Sequence, residues 1–248
     1  GKYADLVDAA VDELAERGHR PAMMIIDSIY EAAGVQTPPA AYQQRVHDKV
    51  RAAGGLVVCD EVQSGLTRLG DHYWGFMDSG VVPDIVTMGK PMGAGHPLAA
   101  VVTTPEIAAA FARETHYFNT FGGNPVSAAA GKAVLEVVER ENLLANVRRS
   151  GERLIDGLHE LATRHALIGD VRGKGLFVAV ELVDDRETKR PARSAAAAVV
   201  ESMRGQGVLT ALIGRDRNTL KFRPPLVFEE KHADIALGAL DTALSAAA

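Results

Sequence analysis

The sequence predicts an α/β protein in which a sheet of mainly parallel strands is followed by a smaller α+β region. Three observations lead to this prediction. Short apolar runs alternate with amphipathic helical patterns up to about Asn124, two long helical patterns follow, and short strand patterns separated by helices make up the rest. With 248 residues and 47% hydrophobic composition, the chain is long enough for one large core or two modest ones.

The first part alternates strands and helices, which is typical of a parallel sheet. Four continuous apolar runs have the length of strands covered on both faces: AMMIID (22–27), LVVCD (56–60), DIVTM (84–88) and LAAVVTT (98–104). The helical patterns beside them are YADLVDAAVDELAERG (3–18), PAAYQQRVHDKVRAAGG (39–55) and PEIAAAFARE (105–114). Pro39 in the first turn of the second helix and the pair Gly54-Gly55 at its end are ordinary helix boundary signals.

The last part reads as α+β. Its long helical patterns cover 124–142 and 143–165 and are joined near Asn142. The segment IGDVRGKG is predicted as a turn leading into the strand GLFVAVELV (175–183), followed by a helix over 192–205, the strands VLTAL and TLKF, and a last helix over 229–246. We therefore divide the chain into 1–145, part of a large α/β domain, and 146–248, a small α+β domain.

Composition excludes several classes of protein. A net charge of −5 and a pI near 5.9 do not suit a nucleic-acid partner. No stretch is apolar for long enough to span a membrane, and the eight histidines show no metal-ligand spacing. The single cysteine, Cys59, indicates a reducing, cytoplasmic setting and an inert core thiol. Because a helix that feeds a strand opens the chain, we expect a piece of a longer polypeptide.

Two ionisable residues follow predicted parallel strands. Asp60 ends LVVCD and Lys90 ends DIVTMGK, so both lie where open α/β sheets bind ligands. A plain ion pair between them is the alternative to a catalytic role. The glycines of Met92–Gly95 and the loop YFNTFGGNP (117–125) before a helix allow a ligand, and an anion in particular, to come close to the backbone. A desolvated lysine forms Schiff bases, and a carboxylate partners the pyridinium of pyridoxal phosphate.

Four stretches together resemble the class-III aminotransferases, pyridoxal-phosphate enzymes of fold type I: CDEVQSGLTRLG, DIVTMGKPMGAGHPLAAVVTT, FNTFGGNPVSAAAG and IGDVRGKGLFVAVEL. They occur in the order of that family and run over essentially the whole chain, which would be the C-terminal part of a member. Family members hold the cofactor phosphate and stack its ring with residues upstream of such a piece. One alternative is therefore a non-catalytic remnant, and another is a module of a fused, multi-domain protein.

The resemblance implies roles for five residues. Lys90 would hold pyridoxal 5'-phosphate through a Schiff base and then act as the base that moves the substrate proton. Asp60 would form a salt bridge with the pyridine nitrogen, Val62 would pack on the ring and Gln63 would bind the ring oxygen. Thr120 would contact the cofactor phosphate of the neighbouring subunit, which implies a homodimer that shares its active sites. No metal is implied.

The reaction is open between two outcomes on the same residues. Three segments are most similar to ethanolamine-phosphate phospho-lyases: VPDIVTMGKPMGAGHP, YFNTFGGNPVS and LIGDVRGKGLF. This resemblance implies β-elimination from a phospho-amine such as O-phosphoethanolamine. Lys221 and Arg223 would bind the substrate; Lys221 stands where many family members place a carboxylate-binding arginine, and a lysine suits phosphate. Ordinary strand-end charges are the alternative for these two residues. A transaminase is the alternative for the reaction. Asp27 stands where the family usually has glutamate.

Overall fold

The computed structural model describes residues 2–247, so Gly1 and Ala248, the outermost residues of the two predicted domains, lie outside it. The chain forms two units. The first comprises the residues up to Ser28 together with Pro38–Leu66 and Trp74–Glu141. The second comprises Ile29–Thr37, Thr67–Tyr73 and the residues from Asn142 onward.

A four-stranded sheet forms the centre of the first unit. Its strands, in both chain order and spatial order, are β1 (Met23–Asp27), β2 (Leu56–Asp60), β3 (Ile85–Met88) and β4 (Ala100–Thr103). The pairs β1–β2 and β2–β3 are parallel, and β3–β4 is antiparallel. The helices of this unit are α1 (Leu6–Glu16), α2 (Ala40–Ala52), α3 (Pro105–Glu114) and α4 (Pro125–Arg140). The predicted mainly parallel α/β sheet is therefore confirmed.

Burial differs between the inner and outer strands of this sheet. Val57, Val58 and Cys59 of β2 are buried, as a continuous apolar run predicts. By contrast, Met23 and Ile25 of β1 are each 56% exposed among the described residues. Val101 and Val102 of β4, the other outer strand, are 65% and 52% exposed. Burial on both faces, expected for all four apolar runs, is therefore wrong for β1 and β4 as described, because an outer strand needs a further element to cover it.

The second unit is built on an antiparallel sheet. Its strands are β5 (Ile168–Lys174), β6 (Phe177–Asp185), β7 (Arg190–Pro191), β8 (Ala211–Ile213) and β9 (Thr219–Phe222). The order is β5-β6-β9-β8, and β7 pairs with β6. The helices α5 (Leu143–Arg164), α6 (Arg193–Gly205) and α7 (Glu230–Ala247) contribute to its core. This is the α+β arrangement that the sequence predicts.

The turn predicted over IGDVRGKG is wrong, because most of this segment is strand β5. Its glycines lower the intrinsic strand preference, which hides the strand from a reading of local propensity. One of them is needed for packing: a Cβ on Gly169 would lie 2.7 Å from the Val183 methyl groups of the neighbouring strand β6. Glycine here permits a close approach between two strands.

Segments 29–37 and 67–73 belong to the second unit although both come from the first half of the chain. The buried residues Ile29, Val35 and Leu69 pack with Phe177 and Ala179 of β6. The Arg172 Nε of β5 donates to the carbonyl oxygens of Gly34 at 3.0 Å and of Val35 at 2.8 Å. Apolar burial and these hydrogen bonds together attach the segments to this unit.

Across residues 2–247, no helix combines the length and the apolar character that crossing a membrane requires.

Candidate active site

Asp60 lies at the carboxyl end of β2, between two neighbouring parallel strands. In the register of the sheet it faces Asp27 of β1 on one side and Thr87 of β3 on the other. One oxygen of its half-buried carboxylate, Oδ1, accepts a hydrogen bond from the Val62 backbone N–H at 3.0 Å. This bond fixes the direction of the carboxylate relative to the loop that follows, which also carries the half-buried Gln63.

Lys90 follows β3 at the same edge of the sheet. It is exposed and its φ is 40°, in the left-handed region, a strained conformation that is common in residues at ligand sites. A Cβ placed on the preceding Gly89 would lie 3.7 Å from a Val62 methyl group, so Val62 packs beside the backbone that leads to Lys90. Within residues 2–247 Lys90 forms no ion pair, so the structural ion pair with Asp60 is wrong.

Glu61, between Asp60 and Val62, is not singled out by the sequence patterns, although its side chain accepts four hydrogen bonds. It is 1% exposed. Its Oε1 accepts from Ser28 Oγ at 2.6 Å and from the Phe76 N–H at 2.9 Å. Its Oε2 accepts from Ser64 Oγ at 3.0 Å and from the Gly75 N–H at 2.7 Å. The only signal in the sequence is a charged residue directly after a buried strand.

Thr120 lies in the exposed loop between α3 and α4. Asn119 shapes this loop, because its Oδ1 accepts from the backbone N–H groups of Phe121 at 3.2 Å and Gly122 at 2.9 Å. Asn124 caps α4 through a bond from the Ser127 N–H at 3.0 Å. Thr120 is therefore an exposed residue on a turn that its neighbours organise.

A hydrogen-bonded chain connects this loop with the glycine turn after Lys90. His96 Nε2 lies 2.7 Å from Ser127 Oγ, which also accepts from Asn124 Nδ2 at 2.9 Å. Asn124 Nδ2 in turn donates to the Phe121 carbonyl at 2.8 Å. The structure therefore brings the Lys90 turn and the Thr120 loop together within the first unit.

The two candidate substrate-binding cations, Lys221 and Arg223, belong to the second unit. Lys221 Nζ forms a largely buried ion pair with Glu31 Oε1 at 2.5 Å, whereas Arg223 is exposed. Both line a cavity of about 270 Å³, whose walls include Leu154, Leu209 and Phe228. Glu31 neutralises the Lys221 ammonium at this position.

Burial governs the one cysteine. The Cys59 thiol lies inside β2, and burial, with a smaller contribution from the nearby Glu61 charge, raises its pKa to about 12. The thiolate is therefore negligible at neutral pH, and the prediction of an inert core thiol is confirmed.

The residues at this sheet edge fit pyridoxal phosphate. Lys90 has an exposed primary amine that could react with the cofactor aldehyde, and the oriented Asp60 carboxylate could pair with the ring nitrogen. Val62 offers an apolar surface beside the Gly89 backbone that leads to Lys90. The chemistry of this donor set is that of a Schiff-base site.

Comparison with known proteins identifies the family. The profile of the family Aminotransferase class-III matches residues 4–244. An alanine–glyoxylate aminotransferase 2-like protein of Drosophila melanogaster is 45% identical over 94% of the chain, and an ethanolamine-phosphate phospho-lyase homolog of Caenorhabditis elegans is 42% identical over 98%. These matches cover 47% and 53% of the relatives, so the chain spans about half the length of the curated relatives it matches.

Solved structures are similar over the same extent. A phospholyase from Arthrobacter in complex with phosphoethanolamine is 44% identical, with a TM-score of 0.94, over 98% of this chain and 57% of that one. An amine transaminase from an uncultivated Pseudomonas species, solved with bound PLP, is 32% identical, with a TM-score of 0.90, over 99% and 56%. The fold is therefore fold type I as predicted, and the chain belongs to the class-III aminotransferase family.

Proposed function

We propose that the protein to which this chain belongs is a pyridoxal-phosphate enzyme that acts on a primary amine. The observation that carries the proposal is the placement of Asp60 and Lys90 at the carboxyl ends of the adjacent parallel strands β2 and β3. The family membership and the PLP-bound transaminase structure support the same cofactor.

Each proposed site residue has a chemical task. The cofactor, when bound, supplies an electron-withdrawing ring that stabilises negative charge on the substrate carbon. Lys90 Nζ would hold the cofactor covalently and, once the substrate amine has displaced it, would take the proton from the substrate Cα. Asp60 would keep a proton on the ring nitrogen, Val62 would pack on the ring and Gln63 would bind the ring oxygen.

The reaction that we propose is β-elimination from a phospho-amine. With O-phosphoethanolamine, a Cα–H bond and the Cβ–O bond break, and inorganic phosphate leaves with the electron pair of the Cβ–O bond. Water then hydrolyses the two-carbon enamine that remains to acetaldehyde and ammonia. Similarity to the phosphoethanolamine-bound phospholyase and to the phospho-lyase homolog supports this choice. Lys221 and Arg223, which line one cavity, are the proposed residues for the substrate phosphate.

A transaminase on the same residues is the second candidate. The relatives from Drosophila melanogaster and Arabidopsis thaliana, each 45% identical, carry names of alanine–glyoxylate aminotransferase 2 type. In that case the substrate would keep its bond to the leaving group. Lys90 Nζ would deliver the proton taken from the substrate Cα to the cofactor, and no phosphate would be expelled.

Phosphate release without an acceptor tests the proposal. The full gene product, loaded with pyridoxal phosphate, would receive O-phosphoethanolamine but no keto acid. We expect catalytic release of inorganic phosphate, and Lys90→Ala should abolish both the release and the visible absorbance of the lysine-linked cofactor. Amino transfer to pyruvate without phosphate release would identify the transaminase. Wild-type protein without lysine-linked absorbance would contradict the whole proposal and favour a non-catalytic module.

A homodimer and a cytoplasmic location complete the proposal. The loop around Thr120 exposes Tyr117, Phe118 and Phe121, of which Phe118 and Phe121 are more than three-quarters exposed, and such aromatic surfaces favour protein contacts. Sedimentation of the full protein tests the dimer.

Because a relative from Arabidopsis thaliana is named as mitochondrial, fractionation that separates cytosol from organelles tests the location.

A further inference from the structure

Glu61 lies between Asp60 and Val62 and connects three segments of the first unit. We propose that Glu61 is the positioning residue that holds Asp60 in place against the cofactor ring nitrogen. This proposal rests on the proposed function. It assigns a task to a buried carboxylate that touches neither the Lys90 amine nor the Asp60 carboxylate in the structure.

The backbone hydrogen bonds of Glu61 fix the position of the loop next to Asp60. Its N–H donates to the Thr87 carbonyl of β3 at 2.9 Å, three residues before Lys90, and its own carbonyl accepts from the Gly65 N–H at 3.0 Å. Asp60 in turn is oriented by the Val62 N–H. Displacement of residue 61 would therefore move the adjoining Asp60 backbone and the Val62 N–H that orients the Asp60 carboxylate.

The partners of the Glu61 side chain require a carboxylate. Each oxygen accepts one backbone N–H, from Phe76 or Gly75, and one serine hydroxyl, from Ser28 or Ser64. A hydroxyl can rotate to accept, but a backbone N–H cannot. A glutamine would turn its NH₂ group toward a backbone N–H in either orientation, so the isosteric amide leaves buried donors unsatisfied.

The surroundings leave little room for the loop to adjust. A Cβ on Gly65 would lie 2.8 Å from the Trp74 ring, and one on Gly75 would lie 2.8 Å from Ser64 Cβ. Close packing of this kind transmits a local change instead of absorbing it. A changed residue 61 is therefore expected to displace the loop as a whole, including Asp60.

The test compares Glu61→Gln with Glu139→Gln, the same chemical change on the exposed surface of α4. Three quantities would be measured in the full protein: the dissociation constant of pyridoxal phosphate, the pH dependence of the visible absorbance, and the ¹⁵N shift of ring-labelled cofactor. We expect Glu61→Gln to weaken cofactor binding by about 10- to 100-fold, the range seen for residues that orient metal ligands from behind. The ring nitrogen should lose its proton at a lower pH than in the wild type.

Two outcomes separate this inference from the proposed function. If wild type and Glu139→Gln hold a lysine-linked cofactor and Glu61→Gln keeps the same ¹⁵N titration, Glu61 does not position Asp60. If the wild type forms no such link, the proposed function itself fails. A Glu61→Gln protein that is merely less stable, with an unchanged ring-nitrogen titration, also contradicts the proposal.

A second variant covers the case in which Glu61→Gln does not fold. Ser28→Ala with Ser64→Ala keeps the carboxylate and both backbone donors but removes the two hydroxyl donors. The proposal requires a smaller shift of the ring-nitrogen titration in the same direction. An unchanged titration in this double variant overturns it.

Discussion

At the scale of single residues, His47 shows what burial does to an ionisable group outside the candidate site. It lies on α2, is 2% exposed, and neither ring nitrogen has a hydrogen-bond partner among residues 2–247. Burial is the main cause that lowers its pKa; Arg51 lowers it further, whereas Asp48 and Asp84 act in the opposite direction. The folded protein therefore keeps His47 neutral where the unfolded chain would protonate it.

This shift predicts a loss of stability in acid. Above the unfolded pKa of about 6.5 both states are neutral and the stability is fully present; as the pH falls through 6.5 toward the lower folded pKa, the unfolded state takes up the proton first and stability is lost. His47→Leu should reduce this loss and stabilise the protein at pH 7 by about 1 kcal/mol, because two unsatisfied nitrogens disappear. Urea unfolding at pH 5 and pH 8 measures both effects.

The matched control is His19→Leu, since His19 is exposed. Its stability difference between the two pH values should equal that of the wild type. If His47→Leu also showed the same stability difference between pH 5 and pH 8 as the wild type, His47 would not be the cause of the stability loss in acid.

At the scale of elements, helix α5 and the β5–β6 turn come into contact through two glycines. A Cβ on Gly151 of α5 would lie 2.4 Å from the carbonyl oxygen of Gly175, and Gly175 has a φ of 54°. Glycine at both positions therefore brings the helix close to the sheet of the second unit. The local helical pattern does not reveal this need, since glycine within a helix is ordinarily unfavourable.

Gly151→Ala should therefore destabilise the protein by about 1–3 kcal/mol, the usual cost of overpacking. Gly238→Ala provides the control, because Gly238 lies on α7 with nothing within 4 Å of the added methyl. It should stabilise by about 0.5–1 kcal/mol through helix propensity alone. Denaturant unfolding compares the two, and equal effects would contradict the contact between Gly151 and Gly175.

At the scale of the whole molecule, the proposed sharing of active sites between subunits makes complementation possible. Lys90→Ala removes the amine from its own site, and Thr120→Ala removes a phosphate contact from the neighbouring one. A dimer with one chain of each kind has one intact site and one doubly defective site, because the interface of a twofold dimer is self-complementary.

We therefore expect heterodimers, isolated through two different tags, to show about half the wild-type activity per dimer. The assay uses a cofactor concentration at which neither variant alone turns over. Heterodimers as inactive as the parent variants would mean that Thr120 serves its own subunit, and sedimentation as a monomer would exclude the dimer itself.

Local patterns were enough to predict much of the fold and the centre of the candidate site. The apolar run of β2 ends at Asp60 and that of β3 shortly before Lys90, and parallel strands bring their carboxyl ends to one sheet edge. The order of the motifs identified the family. Strand β5 was not predicted, because its glycines are typical of a turn. Its strand conformation depends on pairing with β6, which the local sequence does not show.

The sequence by itself therefore determined the element types, the strand ends and the family, because these depend on residues close together in the chain. Only the tertiary structure assigned Glu61 its partners, since Ser28, Gly75 and Phe76 are brought to it by folding. The same holds for Lys221, whose partner Glu31 is 190 residues away. Hydrogen bonds and ion pairs between distant segments leave no period in the sequence, so burial and charge pairing at these positions appear only once the chain is folded.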